Sequence, residues 1–171
     1  GVILSPAGTT ANKLIEKCGG MAEGHLFKAY LPGGASGGIL PSSKADIALD
    51  FGGELTKYGC FVGSHAIVVL SDKDNLADVA LNLVSFFKHE SCGQCTPCRE
   101  GTGWMWRVMD RMAKGNASVD EIDTLLQVTK QVEGHTICAL GDAAAWPIQG
   151  LIRHFRHEIE DRLVQRVFDV N

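Results

Sequence analysis

The segment Cys92-Gly93-Gln94-Cys95-Thr96-Pro97-Cys98 decides the fold of this chain, and Cys138 follows it forty positions later. Three thiols spaced C-x2-C-x2-C match neither the helical nor the strand period, so they cannot share one face of either element. The spacing favours a loop that curls around a compact metal centre. Three sulfurs from one loop and a fourth from a distant segment suit a cubane iron–sulfur cluster, in which each iron takes one thiolate.

Three other interpretations of the cysteines compete with a cluster. A structural zinc site favours two C-x2-C pairs, whereas here three cysteines share one loop and the fourth is isolated. A disulfide framework is unnecessary, because 171 residues with 45% apolar side chains can build a core without cross-links. Burial without a ligand is expected for Cys18 and Cys60, since a free cysteine behaves as a small hydrophobic residue. The pattern therefore predicts four cluster ligands: Cys92, Cys95, Cys98 and Cys138.

Composition and charge narrow the class of protein. Acidic and basic residues are mixed along the chain, and the net charge is −4. No basic stripe is visible, which argues against a nucleic-acid partner. No apolar run is long enough to insert into a membrane, and no secretory leader is visible. The chain opens with Gly1-Val2-Ile3-Leu4 and no initiator Met, so we expect a piece of a larger or processed polypeptide. Reduced thiols and an oxygen-sensitive cluster predict a cytoplasmic location, or an organelle matrix in a eukaryote.

The first seventy residues predict a small α+β module. Thr9 or Thr10 is placed to cap a helix over residues 11–17, and Gly19-Gly20 ends it. The glycine-rich residues 32–38 match neither the dinucleotide fingerprint nor the P-loop, and they are expected to form a surface loop. Alternation and apolar runs predict strands at residues 2–4, 26–31, 47–49 and 61–70. This order of elements resembles a ubiquitin-like β-grasp.

The second half predicts four amphipathic helices joined by short connections. The polar residues 71–75 cap the first helix, Pro97 opens the second, Ser118 with Glu121 forms a capping box for the third, and the fourth begins near Pro147. The inner face of the second helix is expected to contain Trp104, Val108, Met109 and Met112. The pattern predicts an antiparallel four-helix bundle.

Bundle topology brings the cysteines together. In such a bundle the connections after the first and the third helix lie at the same end, and these connections carry the three-cysteine loop and Cys138. The helix after Pro97 points its N–H groups and positive dipole end at the thiolates. Arg99 is a candidate for a further positive charge, and Ser91 and Thr96 for hydrogen bonds to cluster sulfurs.

Two long motifs resemble a known family. Residues 90–101, Glu-Ser-Cys-Gly-Gln-Cys-Thr-Pro-Cys-Arg-Glu-Gly, are similar to a signature of the NADH-oxidising flavoprotein subunit of respiratory complex I. Residues 134–142, with Trp146-Pro147 and residues 149–155, resemble the segment of that family that holds the fourth cluster ligand. The same subunit type occurs in NAD-dependent formate dehydrogenases and NAD-reducing hydrogenases.

The resemblance implies a domain plan and a cofactor. Residues 1–72 would form a soluble-ligand-binding β-grasp domain, and residues 73–171 a helical domain that binds a [4Fe–4S] cluster. Cys92, Cys95, Cys98 and Cys138 would hold the cluster, which takes single electrons from reduced FMN. The segments that bind FMN and NADH in this family have no counterpart here, so the chain alone is expected neither to bind NADH tightly nor to turn over.

The function expected from this resemblance is an electron relay in an NADH-linked oxidoreductase complex. A formate dehydrogenase beta-type subunit is our first interpretation, with a complex I or hydrogenase subunit as the alternative. The implied partners are an FMN- and NADH-binding domain of the same subunit and further iron–sulfur subunits. Two functions of other classes stay open: a zinc-stabilised interaction module, and a β-grasp module that binds a small ligand.

Overall fold

The computed structural model describes the backbone of residues 1–169 and the side chains of residues 1–164. The chain divides into two units, Gly1–Asp74 and the residues from Asn75 onward. A small antiparallel sheet lies in the first unit and long helices lie in the second, so the predicted mixture of helix and strand is confirmed. That the chain folds as two separate domains, 1–72 and 73–171, stays a prediction.

The sheet of the first unit has three strands in the order β2-β1-β3, and both pairings are antiparallel. Strand β1 is central, and its last three residues, Ala29, Tyr30 and Leu31, are all buried. Tyr30 lies opposite Leu40 on one side and Val69 on the other. The strands are β1 (Phe27–Leu31), β2 (Leu40–Pro41) and β3 (Val68–Ser71).

Helix α1 (Ala11–Lys17) has the predicted bounds. The side chain of Thr10 caps it by accepting a hydrogen bond from the Lys13 amide at 3.4 Å. Gly19 and Gly20 follow with φ of 94° and 83°, a backbone conformation that favours glycine and turns the chain away from the helix. Two 3-10 turns complete the unit, Ser42–Lys44 and Glu54–Tyr58. Local capping signals therefore predicted this helix correctly.

The strand predictions in this unit were largely wrong. Residues 2–4 form no strand, and Val2 and Leu4 are fully exposed. Residues 47–49 contribute only an isolated bridge between Ala48 and Thr10. The long strand predicted at 61–70 shrinks to β3, because His65 has φ of 58°, which a strand cannot accommodate. Strand β2 was not predicted, because a strand of two residues is too short to show an alternating pattern.

The glycine-rich residues 32–38 are mostly buried, which corrects the prediction of a surface loop. A Cβ on Gly33 would overlap the carbonyl of Phe61, and one on Gly38 would overlap the sulfur of Cys60. The glycines therefore allow two backbone segments to pack directly against each other. Cys60 is buried as predicted, whereas Cys18 is exposed because it caps the C-terminus of α1 at the surface.

Four helices form the second unit, and short connections join helices that contact each other. Helix α2 contacts α3 and α5, α3 also contacts α4 and α5, and α4 contacts α5. In the described residues, no helix is both long enough and apolar enough to cross a membrane. The helices are α2 (Leu76–Glu90), α3 (Thr96–Ala113), α4 (Glu121–Val132) and α5 (Leu140–Asp169).

The predicted starts of the first two of these helices are confirmed, whereas the third begins at Glu121 with Asp120, rather than the predicted Ser118, as its N-cap residue. Asn75 caps α2 by accepting hydrogen bonds from the amides of Ala77 and Asp78 at 3.0 and 3.1 Å. Pro97 lies in the first turn of α3. Glu121 accepts a hydrogen bond from the Ser118 amide at 3.1 Å, which is one half of the predicted capping box.

The inner face of α3 differs from the prediction at one position. Val108, Met109 and Met112 are buried as expected, but Trp104 is 52% exposed and Met105 takes the inner position. Residues 105, 108, 109 and 112 follow the i, i+3, i+4, i+7 spacing, and residue 104 falls just outside this stripe. Trp104 therefore lies at the edge of the buried stripe rather than within it.

Helix α5 starts at Leu140, seven residues before the predicted start at Pro147. A proline inside a helix lacks one amide donor, but neighbouring helices and the alanines at 143–145 support the turn that precedes it. The regular helical backbone breaks at Phe155, which has φ of −136°. The early start places Cys138 two residues before a helix.

Candidate metal centre

Three of the predicted ligands lie where helix α3 begins. Cys92 is exposed in the connection 91–95, and Cys95 is the half-buried N-cap residue of α3. Cys98 is buried in the first turn of the helix. Gly93, with φ of 76°, supplies the left-handed turn between the first two cysteines. The spacing thus places one sulfur in a loop, one at a helix cap and one inside a helix.

The pKa of the Cys98 thiol depends on its burial, on Ser91 and on the other three predicted ligands. Burial raises the pKa of its thiol, the hydrogen bond with Ser91 lowers it in part, and the charges of Cys95, Cys138 and Cys92 raise it further. The Ser91 hydroxyl lies 3.2 Å from the Cys98 sulfur, so the hydrogen bond expected for Ser91 is present. A thiolate at Cys98 therefore needs a compensating positive charge, which a bound metal would supply.

Arg99 organises the three-cysteine loop from outside. Its guanidinium donates to the carbonyl of Gly93 at 2.9 Å and to the hydroxyl of Thr96 at 3.3 Å. It also forms an exposed ion pair with Glu100 at 2.9 Å. The hydroxyl of Thr96, which was predicted to contact a sulfur, accepts this hydrogen bond from Arg99. Arg99 thus holds the loop closed over the start of α3.

Cys138 lies in the exposed connection 133–139 between α4 and α5. The hydroxyl of Thr136 donates to the Cys138 carbonyl at 2.8 Å. The Gly134 amide donates to a carboxylate oxygen of Asp142, on the first turn of α5, at 2.6 Å. Gly141 is required beside this turn, because a Cβ there would overlap the Thr136 side chain. The Nδ1 atom of His135 lies 2.8 Å from the Glu133 carbonyl oxygen.

A buried polar network lies behind this connection. The carboxylate of Glu133 accepts from Trp146 Nε1 at 2.7 Å and from Gln149 Nε2 at 2.8 Å. Gln149 also donates to the hydroxyl of Thr129 at 3.2 Å. Glu133, Asp142 and Gln149 were not predicted from the sequence. One signal in the sequence could have indicated this network: Gln149 is a polar residue among the apolar residues of the helix, and a buried polar side chain needs hydrogen-bond partners.

Two helices begin at the cysteines. Cys95 and Cys98 lie at the start of α3, and Cys138 precedes α5 by two residues. Helix N-termini present free amides and the positive end of the dipole, so both stabilise thiolates. The sequence predicted this contribution for α3 and missed it for α5, whose start it placed too late.

The donor set fits an iron–sulfur cluster. All six cysteines are free thiols, so none of the four predicted ligands is used in a disulfide. Among the side chains that the structure describes, residues 1–164, no three His, Cys, Asp or Glu residues converge closely enough to share one metal ion. Each sulfur of a cubane binds a different iron, whereas zinc needs all four donors on one ion.

The region that contains the four predicted ligands matches a known protein family. Residues 78–162 match the NADH-ubiquinone oxidoreductase-F iron-sulfur binding region. The chain is 56% identical over 158 residues to the F subunit of NADH-quinone oxidoreductase from Rickettsia akari, which covers 91% of the chain and 37% of the relative. It is also 56% identical over 157 residues to the protein of the same name from Rhodobacter capsulatus, covering 90% of the chain and 36% of the relative. The chain thus spans little more than a third of these relatives.

The fold has a counterpart among solved structures. A chain of the NAD+-reducing [NiFe]-hydrogenase in its H2-reduced state superposes with a TM-score of 0.81 and 25% sequence identity, over 93% of this chain and 26% of that chain. The air-oxidized state of such a hydrogenase gives a TM-score of 0.80. The predicted similarity to the family of NADH-oxidising flavoprotein subunits is therefore confirmed.

Proposed function

This chain belongs to the family that carries the NADH-ubiquinone oxidoreductase-F iron–sulfur binding region, and from that membership we propose that it relays electrons through one iron–sulfur cluster. The observation that carries the proposal is the placement of three cysteines, Cys92, Cys95 and Cys98, where helix α3 begins. The matched region contains all four predicted ligands.

The proposed ligands of a [4Fe–4S] cluster are Cys92, Cys95, Cys98 and Cys138. When bound, the cluster supplies one-electron transfer at a potential that hydrogen bonds and burial adjust. The protein holds three sulfurs at the start of α3 and presents the fourth from the connection before α5. We further propose that α2–α5 form the antiparallel bundle predicted for residues 73–171, and that the first unit is a β-grasp domain.

The relatives favour an NADH-quinone oxidoreductase or NAD-reducing hydrogenase type over the formate dehydrogenase type that was our first interpretation. The proposed electron donor is reduced FMN, which NADH reduces in a part of the subunit outside these 171 residues. Further iron–sulfur subunits of the complex are the proposed acceptors. A cytoplasmic or matrix location stays a prediction.

Metal analysis tests this proposal. The chain is purified without oxygen, reconstituted with iron and sulfide, and analysed for iron, acid-labile sulfide and zinc. We expect about four irons and four sulfides per chain. A Cys18→Ala variant is the matched control, because Cys18 is an exposed cysteine outside the site and should leave the iron content unchanged. One zinc per chain without sulfide would replace the proposal with the zinc-stabilised interaction module.

A further inference from the structure

The connection that carries Cys138 has little core packing of its own. Residues 134, 135 and 137–139 are exposed, and Thr136 is half-buried. Apolar burial therefore contributes little to the position of this segment. The place of the Cys138 sulfur depends instead on how the two ends of the segment are attached to the helices beside it.

Glu133 attaches the first end. It caps the C-terminus of α4, and each of its two carboxylate oxygens accepts one hydrogen bond from α5: Oε1 from Trp146 and Oε2 from Gln149. Hydrogen bonds to an ionised acceptor are stronger than neutral ones. The carboxylate thus joins the residue that opens the connection to the helix that closes it.

The donors that Glu133 receives are themselves held in place. Gln149 is buried, and its amide nitrogen also donates to Thr129, which is fully buried. Thr129 in turn donates to the carbonyl of Leu126 at 2.7 Å. Removing the carboxylate would leave one of the two N–H groups of the buried Gln149 amide without its acceptor, which costs about 1–3 kcal/mol in general. The network therefore has a strong preference for one position of Glu133.

An acidic residue at this place needs a reason. Four thiolates around an iron–sulfur core form a negative centre, and a carboxylate on a ligand-bearing segment adds charge of the same sign. Helix packing alone would be served by an apolar residue. The two hydrogen bonds from α5 supply the reason, because the carboxylate offers a separate charged oxygen to each donor.

We propose that Glu133 is the positioning residue of the fourth ligand: its carboxylate holds the connection 133–139 on α5 and so retains the iron bound by Cys138. This inference rests on the proposed function. It concerns the one predicted ligand that lies in the connection between α4 and α5. Residues that position a metal ligand typically change metal affinity by about 10- to 100-fold when they are mutated.

The experiment measures how fast the reconstituted full chain loses one iron to ferricyanide. Each conversion of [4Fe–4S]2+ to [3Fe–4S]+ releases one Fe2+ and passes one electron to ferricyanide, so released iron and the EPR signal of the three-iron form can both be counted. The variants are Glu133→Ala, Glu133→Gln and Trp146→Phe. The matched control is Glu90→Ala, which removes an exposed carboxylate beside the three-cysteine loop.

We expect Glu133→Ala to lose the iron about 10-fold faster than the unmutated chain. Glu133→Gln keeps one oxygen acceptor and should lie between the two. Glu90→Ala should match the unmutated chain. If Glu133→Ala and the unmutated chain lose iron at equal rates, the positioning role of Glu133 is overturned, whereas the proposed iron–sulfur cluster is not. Equal acceleration by Glu90→Ala also overturns it, because the effect is then one of charge.

Two further results separate this inference from other failures. If the unmutated chain binds no four-iron cluster, the proposed function itself fails. If circular dichroism shows that Glu133→Ala does not fold, Trp146→Phe decides, because it removes one hydrogen bond to the carboxylate and keeps an aromatic ring in place. Faster iron loss in Trp146→Phe supports the role of Glu133, and an unchanged rate overturns it.

Discussion

Segment 91–98 runs into helix α3, whereas segment 133–139 lies entirely between α4 and α5. In the first segment, Cys98 is buried within a helical turn and the hydroxyl of Thr102 donates to its carbonyl at 2.8 Å. In the second, Cys138 is exposed and its carbonyl accepts from Thr136, a residue of the same connection. The two segments thus offer the same chemical group from backbones that are held in place by different contacts.

This difference shows that the predicted ligands are positioned in two ways, by helix packing and by side-chain hydrogen bonds. A sulfur on a buried helical turn is placed by the same packing that stabilises the helix. A sulfur on an exposed connection is placed by side-chain hydrogen bonds, here from Thr136 and to Asp142 and Glu133. Regions of low packing open more readily than the core. We therefore expect the iron at Cys138 to be the most easily lost.

The largest expected effect comes from replacing the ligands themselves. Cys98→Ser removes the buried sulfur at the centre of the site, and we expect the chain to retain almost no iron after reconstitution. Cys138→Ser removes the exposed sulfur, and we expect about three irons per chain and a three-iron EPR signal. Iron analysis and EPR of both variants check this. Four irons in Cys138→Ser would refute its assignment as a ligand, and equal losses would remove the contrast between the segments.

One glycine lies at the contact between helices α3 and α4. Gly101 lies on the second turn of α3, and a Cβ there would overlap a methyl group of Val132, the last residue of α4. Val132 is buried and its β-branched side chain has few rotamers to escape into. Gly101 thus allows the end of α4, and with it the connection 133–139, to approach the start of α3.

Gly101→Ala should therefore force α3 and α4 apart. Overpacking in a core costs about 1–3 kcal/mol, which exceeds the gain of about 0.5–1 kcal/mol from replacing glycine in a helix. Gly103→Ala is the matched control, because the nearest atom to its added Cβ is Arg107 Nη1 at 3.8 Å. Chemical unfolding of the apo chain should show Gly101→Ala less stable and Gly103→Ala at least as stable as the unmutated chain. Equal stabilities would mean that Val132 moves freely.

The helices of the second unit were predictable because their signals are local. Caps at Asn75 and Pro97 and apolar stripes at helical spacing define them within one segment of sequence. The start of α5 was missed because Pro147 was taken for a first-turn proline, although a proline also occurs inside a helix that its neighbours support. Trp104 was misplaced because adjacent positions on a helix differ by only about 100°.

The first unit was harder to predict because strand pairing is not local. Strand β1 pairs with β3 across about forty residues, and no local pattern shows which apolar run finds a partner. The same limit applies to the site. The cysteines are recognisable by their spacing, but Glu133 meets Trp146 and Gln149 only after α4 and α5 have packed.

The smallest expected effect is a shift in the reduction potential of the cluster, caused by the hydrogen bond between Ser91 and the Cys98 sulfur. The Gly93 amide donates to the Ser91 hydroxyl oxygen at 3.4 Å, which leaves the Ser91 proton free to point at the Cys98 sulfur 3.2 Å away. A hydrogen bond to a ligand sulfur stabilises the more negative, reduced cluster and so raises its reduction potential. No equivalent side-chain donor to the Cys138 sulfur is present in the described residues, since Thr136 donates to the Cys138 carbonyl instead.

Ser91→Ala should lower the reduction potential by about 20–60 mV, the equivalent of one hydrogen bond of about 0.5–1.5 kcal/mol for a one-electron couple. Iron content and unfolding should stay close to those of the unmutated chain. Thr136→Val is the matched control in the other segment, and it should speed iron loss with little change in potential, because its hydroxyl contacts a carbonyl. A redox titration followed by EPR measures both variants. A shift in Thr136→Val as large as that in Ser91→Ala would show that loop rigidity, rather than the hydrogen bond to sulfur, sets the potential.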